Sequence, residues 1–175
     1  MERISRRVVY DGRLSSVVEE QFRFDDGTTA TREVITHPNA VGMLAYDHRY
    51  VYMVRQPRQA VGEERLLELP AGKLDVEGES PLDAAKRELG EEVGKSAQRW
   101  RELKRFYVSP GVTTEEMWLF EATDLTDVGV SLDPGERIEV VEWPLTDLDG
   151  AVAECADATS LIGLLMLREM RAVAQ

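Results

Sequence analysis

The spacing of apolar residues changes character along the chain. Over roughly the first third, short runs rich in β-branched and aromatic residues are broken by polar turn signals, a pattern of strands and not of helices. Residues 7–10, 16–24 and 29–35 are three such runs. Asp11-Gly12 and Asp25-Asp26-Gly27 between them suit tight reversals, so an antiparallel meander is predicted. His37-Pro38-Asn39 ends the pattern. A residue before proline is pushed towards extended backbone, so His37 is expected in a loop and not as a ligand. Residues 41–46 and 50–55 then read as two more strands joined by the polar Asp47-His48-Arg49 turn.

Helical spacing follows. Ser80 is a good N-cap, Pro81 is tolerated in a first turn, and Asp83 stands where a capping box has its acid. Leu82, Ala85, Leu89 and Val93 recur at helical intervals, and Gly94 suits the left-handed position that closes a helix. Residues placed roughly 100° apart put Glu88, Glu91 and Glu92 on one arc beside that apolar stripe. Like charges one turn apart repel, and only Lys86 and Arg87 lie near enough along the helix to offset them. A divalent cation reverses the sign of that cost. Carboxylate oxygens are preferred ligands of Mg²⁺ and Mn²⁺, and Mg²⁺ is usually held by a few carboxylates plus the phosphates of a substrate. Arg87 can orient an acid without occupying the metal.

Beyond this helix, residues 100–108, 117–122 and 138–143 read as strands, and residues 109–116 as a proline- and glycine-bearing loop. Residues 124–136 are acidic and turn-rich and contain Asp133-Pro134-Gly135. Residues 145–148 look like the start of a connector to the last helix, residues 160–173, where Leu161, Leu164, Leu165, Leu167 and Met170 invite packing.

Composition narrows the possible partners. At 175 residues and 43% hydrophobic content, one domain with a real core and some attachments is expected. The net charge of −12 argues against general binding to nucleic acid or to an anionic membrane, so an anionic substrate needs a metal and a few local arginines. Cys155 is the single cysteine, which rules out an intrachain disulfide and leaves it the part of a small apolar residue. No signal-like apolar segment opens the chain, and no run approaches the roughly 20 residues of a membrane span. The cytoplasm is the expected compartment.

Gly72, Glu79 and Arg87-Glu88-x-x-Glu91-Glu92-x-Gly94 closely resemble the Nudix box, the signature of hydrolases that cleave nucleoside diphosphates linked to another group. Two departures stand out: six residues instead of five separate Gly72 from Glu79, and Lys95 replaces the usual terminal aliphatic. Neither touches the clustered acids. The resemblance implies an α/β/α sandwich with a mixed sheet over residues 39–175. It also implies an N-terminal antiparallel β extension, residues 1–38, of the kind that in the sugar-nucleotide branch exchanges across a homodimer.

The same resemblance implies the chemistry. Glu88, Glu91, Glu92 and the carbonyl of Ala71 would hold Mg²⁺ or Mn²⁺, with Arg87, Glu91 and Glu92 in the catalytic group. Ala71 and Glu68 come from Glu68-Leu69-Pro70-Ala71-Gly72, which resembles the segment preceding the box in this branch; there the glutamate approaches substrate. Arg55 and then Arg58, at the end of a strand that faces substrate in related enzymes, are the expected diphosphate contacts, because guanidinium holds phosphate bidentately. Pro110 and Glu115 match the S-P-G-x-T-x-E sequence of family members that act on ADP-ribose. Glu136, the last acid before a strand, is the candidate general base, with Glu139 in reserve. The implied activity is hydrolysis of ADP-ribose or a related ADP-sugar to AMP and a sugar phosphate. Alternatives are another nucleoside diphosphate derivative (GDP-mannose, UDP-glucose, CDP-choline), an oxidised nucleotide, or a non-catalytic nucleotide-binding regulator. Retention of Arg87, Glu88, Glu91 and Glu92 speaks against the last.

Overall fold

The meander forms where the β-branched runs lie. In the computed structural model, which describes residues 1–132 and 135–173, β1 (Glu2–Asp11), β2 (Ser16–Arg23) and β3 (Thr29–Thr36) pair antiparallel in that order. β1 begins before its apolar run because the ladder continues through polar positions, with Glu2 opposite Arg23 and Arg3 opposite Phe22. Val18 on the middle strand is fully buried, and the buried carboxylate of Glu20 is met by Arg3 at 2.7 Å and Arg6 at 3.4 Å. Residues Phe106–Glu116 join this unit: the Ile35 N–H donates to the Val112 carbonyl at 2.8 Å, and the Thr114 N–H to the Ile35 carbonyl at 3.0 Å.

The second unit, Ala40–Arg105 and Met117 onward, is built on a mixed sheet. Its strands are β4 (Ala40–Tyr46), β5 (Tyr50–Arg58), β6 (Glu63–Glu68), β7 (Ala71–Lys73), β8 (Lys95–Tyr107), β9 (Glu116–Asp127) and β10 (Glu139–Pro144). The order is β10-β5-β4-β9-β8, with β6 on β5 and β7 on β4. β4 and β9 run parallel, Met43 opposite Phe120. β5 passes through Pro57, and its register with β6 slips between Gln56 and Arg58, where proline has no N–H to give the ladder.

β4 is buried at every position from Ala40 to Ala45, as a strand covered on both faces must be. Val41, Met43 and Ala45 pack against Ala84, Ala85, Leu89 and Val93 of the segment that carries the acids. Gly42 points to the opposite face, where a Cβ would lie 3.0 Å from Thr159 Cγ2 at the start of the last helix. Helices therefore cover the sheet on both sides, α1 (Pro81–Glu88) on one and α3 (Ala158–Val173) on the other. This is the expected sandwich.

The segment that carries the acids is not one regular helix. Ser80 Oγ accepts the Asp83 N–H at 3.1 Å and donates to Asp83 Oδ2 at 2.7 Å, so the start is capped as the sequence predicts. The α-helical turns stop at Glu88, however, and Leu89–Val93 continue as a wider π turn closed by Gly94 at φ +70°. Glu91 and Glu92 thus sit on backbone of a different pitch from Glu88, and the even 100° spacing does not hold across them. Lys95, the departure from the usual aliphatic, sets its ammonium over the Tyr52 ring, with Nζ 4.6 Å from the centroid and 2.5 Å from Asp127. The same charge meets the ring face and a carboxylate.

Elsewhere the chain is more regular than its composition suggests. β9 runs on to Asp127, into the segment read as turn-rich, and Leu148–Glu154, read within a connector, form a second short helix, α2. The turn expected at Asp133-Pro134-Gly135 falls on residues 133 and 134, outside those described.

Candidate active site

Arg87 organises the acids. Its Nε and Nη2 donate to the two oxygens of Glu79, both at 3.0 Å, and its Nη1 reaches Glu88 at 2.8 Å and Glu91 at 3.0 Å. One guanidinium therefore locks the loop before α1 to the carboxylate face. Lysine offers one nitrogen and could not span these three acids. The hydrogen bond from Arg87 holds the Glu79 carboxyl below its usual range.

Glu92 lies behind this cluster, with only 4% of its surface exposed. Its Oε2 accepts the Ala71 N–H at 3.1 Å. Burial, and then the charge of Glu88, push its carboxyl up to about 8. Glu88 is raised by burial too, against the pull of Arg87. The Glu88 carboxyl occupies the space above Gly72, where a Cβ would lie 1.9 Å from its Cδ. The missing Cβ at Gly72 is what admits this acid.

The acid-bearing loop comes to the same face. The charge of Glu136 adds to the upward push on both Glu88 and Glu92. Its loop is tied to the π turn, since the Val128 N–H donates to the Gly94 carbonyl at 2.9 Å and the Ser131 N–H to the Glu91 carbonyl at 3.0 Å. Glu139, the reserve base, is engaged with Arg65 at 2.6 Å.

Both expected phosphate-binding arginines already hold carboxylates. Arg58 Nε meets the two oxygens of Glu68 at 3.0 and 2.8 Å, and burial raises the Glu68 carboxyl although Arg58 opposes it. Arg55 pairs with Glu154 of α2. Pro110 and Glu115 belong to the N-terminal unit: Pro110 is exposed in the loop, and Glu115 stands 3.7 Å from His37 Nδ1 and accepts the Val108 N–H at its carbonyl.

Comparison with known proteins decides the family. Residues 36–159 match the NUDIX domain. The chain belongs to the Nudix family. The ADP-ribose pyrophosphatase of Bacillus subtilis (strain 168) is 35% identical over 147 residues, covering 82% of this chain and 78% of that protein. A protein of the same name from Mycobacterium tuberculosis (strain ATCC 25618 / H37Rv) is 41% identical over 129 residues, which cover 73% of this chain and 62% of that protein's length. A solved structure described as an ADP compounds hydrolase superposes with a TM-score of 0.86 at 26% identity, covering 97% of this chain and 92% of that one.

As a Nudix site the donors suit a hard cation. They are carboxylate oxygens, and two of the acids are crowded and buried enough that uptake of positive charge relieves them. Among the described residues no three Asp, Glu, His or Cys side chains are already gathered as a cage. Arg87 draws Glu88 and Glu91 to itself. That arrangement still fits Mg²⁺, which takes few protein carboxylates and completes its shell with water and substrate phosphate.

Sequence reading missed Glu154 as the partner of Arg55, the Ala71 N–H as the support of Glu92, and the tie between residues 128–131 and the box. No spacing signals these contacts, since each joins elements far apart in the chain. Ala71 stood out only for its carbonyl.

Proposed function

We propose that this Nudix protein hydrolyses the diphosphate of ADP-ribose or a related ADP-sugar, releasing AMP and the sugar phosphate. The observation that carries the reading is the Arg87-held set of Glu79, Glu88 and Glu91 in front of buried Glu92. The curated relatives named ADP-ribose pyrophosphatase supply the substrate class.

Bound there, Mg²⁺ or Mn²⁺ neutralises charge on the diphosphate oxygens and makes water a better nucleophile. Glu88, Glu91, Glu92 and the Ala71 carbonyl are the holders. Arg87 fixes the acids without moving, because four hydrogen bonds restrain its guanidinium. Arg55 exchanges Glu154 for a substrate phosphate, and Arg58 does the same or positions Glu68 against the substrate. Glu136 accepts the proton of the attacking water at its carboxylate, its loop closing over bound substrate. Pro110 and Glu115 belong to the same substrate reading.

The exposed apolar Val8, Val9 and Tyr10 on β1 support a homodimer formed through the N-terminal extension, residues 1–38. Among the described residues no helix is long and apolar enough to cross a membrane, and the cytoplasm is the compartment this reading favours.

The test is release of the nucleoside monophosphate (AMP, GMP, UMP or CMP) from ADP-ribose, ADP-glucose, GDP-mannose, UDP-glucose and CDP-choline, each with Mg²⁺, Mn²⁺ or chelator. Metal-dependent cleavage fastest with an ADP-sugar supports the proposal. Preference for another nucleotide discards the substrate assignment, and no turnover of any compound leaves a binding protein. Sedimentation that finds only monomer at micromolar protein refutes the dimer.

A further inference from the structure

Ser160, one residue past the matched domain, lies in the first turn of α3 and is only 1% exposed. Its own N–H donates to Asp157 Oδ1 at 2.9 Å, so the backbone is satisfied locally. Its Oγ instead accepts the N–H of Leu69 at 2.7 Å, a link across 91 residues in a fully buried setting. Leu69 opens the short segment that leads to the acids. The next carbonyl, that of Pro70, accepts the Met43 N–H at 2.9 Å, and the next N–H, that of Ala71, holds Glu92 at 3.1 Å.

The contact is also tight. A Cβ on Gly163, one turn along α3, would lie 2.4 Å from Leu69 Cδ1, and Thr159 crowds Gly42 on the neighbouring strand. The start of α3 is therefore seated directly on the Leu69-Pro70-Ala71 segment, from the face of the sheet opposite the acids. Proline has no N–H of its own, so the segment is held by the amides on either side of it and by one carbonyl. Without Ser160, the first of these amides loses its buried partner.

We infer that Ser160 is a positioning residue for the metal-holding site: through the Leu69 amide it fixes the backbone that presents the Ala71 carbonyl and supports Glu92. This deepens the proposed function and rests on the reading of Ala71 and Glu92 as metal holders. A hydroxyl on the far side of the sheet thus sets the geometry of a site it does not touch.

The experiment compares the full-length protein with Ser160→Ala and with Leu164→Ala. The second removes more buried volume from the same helix but keeps the hydroxyl. Mn²⁺ affinity is read directly by electron paramagnetic resonance, and amide exchange at Leu69 and Ala71 by NMR. Loss of an outer support of a metal site weakens binding by about tenfold or more, so Ser160→Ala is expected to do so. Exchange at Leu69 and Ala71 should quicken beyond any global change. Leu164→Ala should lower the melting temperature at least as much while holding Mn²⁺ affinity within about twofold of the wild type.

Ser160→Ala with wild-type Mn²⁺ affinity and unchanged local exchange overturns the inference, as does equal loss of affinity in Leu164→Ala. If wild-type protein binds no Mn²⁺, the metal-holding reading itself falls. Metal-dependent Mn²⁺ binding without turnover of any ADP-sugar counts against the proposed reaction and leaves the positioning result standing on the affinity and exchange data.

Discussion

Replacing Gly72 by alanine tests the central packing contact of the site. A Cβ there would lie 1.9 Å from Glu88 Cδ and 2.2 Å from its Cγ and Oε1. Carbon atoms rest about 3.5 Å apart, so something must yield by roughly 1.6 Å. The backbone of Gly72 is pinned, paired with Val41 in the β4–β7 ladder and preceded by the Ala71 and Pro70 hydrogen bonds. The Glu88 side chain is the part that moves. Displacing a catalytic group by about 1 Å can cost on the order of 100-fold in rate. A fall of at least that size in kcat/KM is expected, equivalent to about 2.7 kcal/mol of transition-state stabilisation.

Stability should behave differently. Eviction of Glu88 relieves its crowding with Glu92, and alanine restricts the unfolded chain more than glycine does, a gain of about 0.4–1 kcal/mol where the backbone tolerates it. Gly72 has no positive φ to forbid the side chain. Urea unfolding in chelator should therefore place the variant within about 1 kcal/mol of the wild type. ADP-sugar hydrolysis under saturating Mg²⁺ provides the activity. A folded variant with activity within tenfold of the wild type would refute the reasoning, and a loss of several kcal/mol in stability would show that the backbone had moved instead of Glu88.

Three further outcomes follow from the same contacts. In metal-free protein the Glu92 carboxyl, ordinarily near 4.5, sits at about 8 because of burial and the Glu88 charge; a folded value above the unfolded one stabilises fully below pH 4.5 and loses that contribution as pH rises through 8. Urea midpoints in chelator should fall over that window in the wild type and much less in Glu92→Gln, and parallel profiles would sink the idea. Glu154→Gln should free Arg55 for phosphate; because such a partly exposed pair is worth at most about 1 kcal/mol, KM for the ADP-sugar should drop by no more than about fivefold with kcat unchanged, and a rise in KM contradicts the exchange. Burial pushes the Cys155 thiol up to about 12, so iodoacetamide at pH 8 should leave native protein unlabelled and react once urea unfolds it, while rapid native labelling argues against the buried packing of α2.

Local signals carried much of the architecture. Strands β2 to β5 stand within a few residues of their β-branched runs, and Ser80 and Gly94 cap the box segment as their residue types demand. These features depend on neighbours along the chain, so sequence exposes them. The π turn does not announce itself: Leu89, Gly90 and Val93 fit either helix, and the choice depends on packing against the sheet. Helix α2 was equally hidden, because its seven residues carry too little periodicity to outweigh a connector.

The candidate site divides along the same line. The motif positions Gly72, Arg87, Glu88, Glu91 and Glu92 were legible because one local pattern contains them all. What the glycine accommodates was not, since Glu88 reaches it only after α1 has packed beside β7.

Charge pairing was the least legible part. Arg55 and Arg58 were recognised as phosphate-binding chemistry, yet their carboxylate partners come from α2 and β6. A guanidinium accepts any well-placed carboxylate, and side-chain type says nothing of which one folding will deliver.

By itself, then, the sequence marked the acid-bearing motif and the place of most strands and of the capped helix start, because these are properties of short stretches of chain. Only the tertiary structure decided the rest of the support: Glu79 brought onto Arg87, Ala71 on Glu92, and Ser160 beneath Leu69. Those contacts join residues up to 91 positions apart. They exist because the sheet and its two helical layers bury the intervening surface, and no periodicity in the chain encodes them.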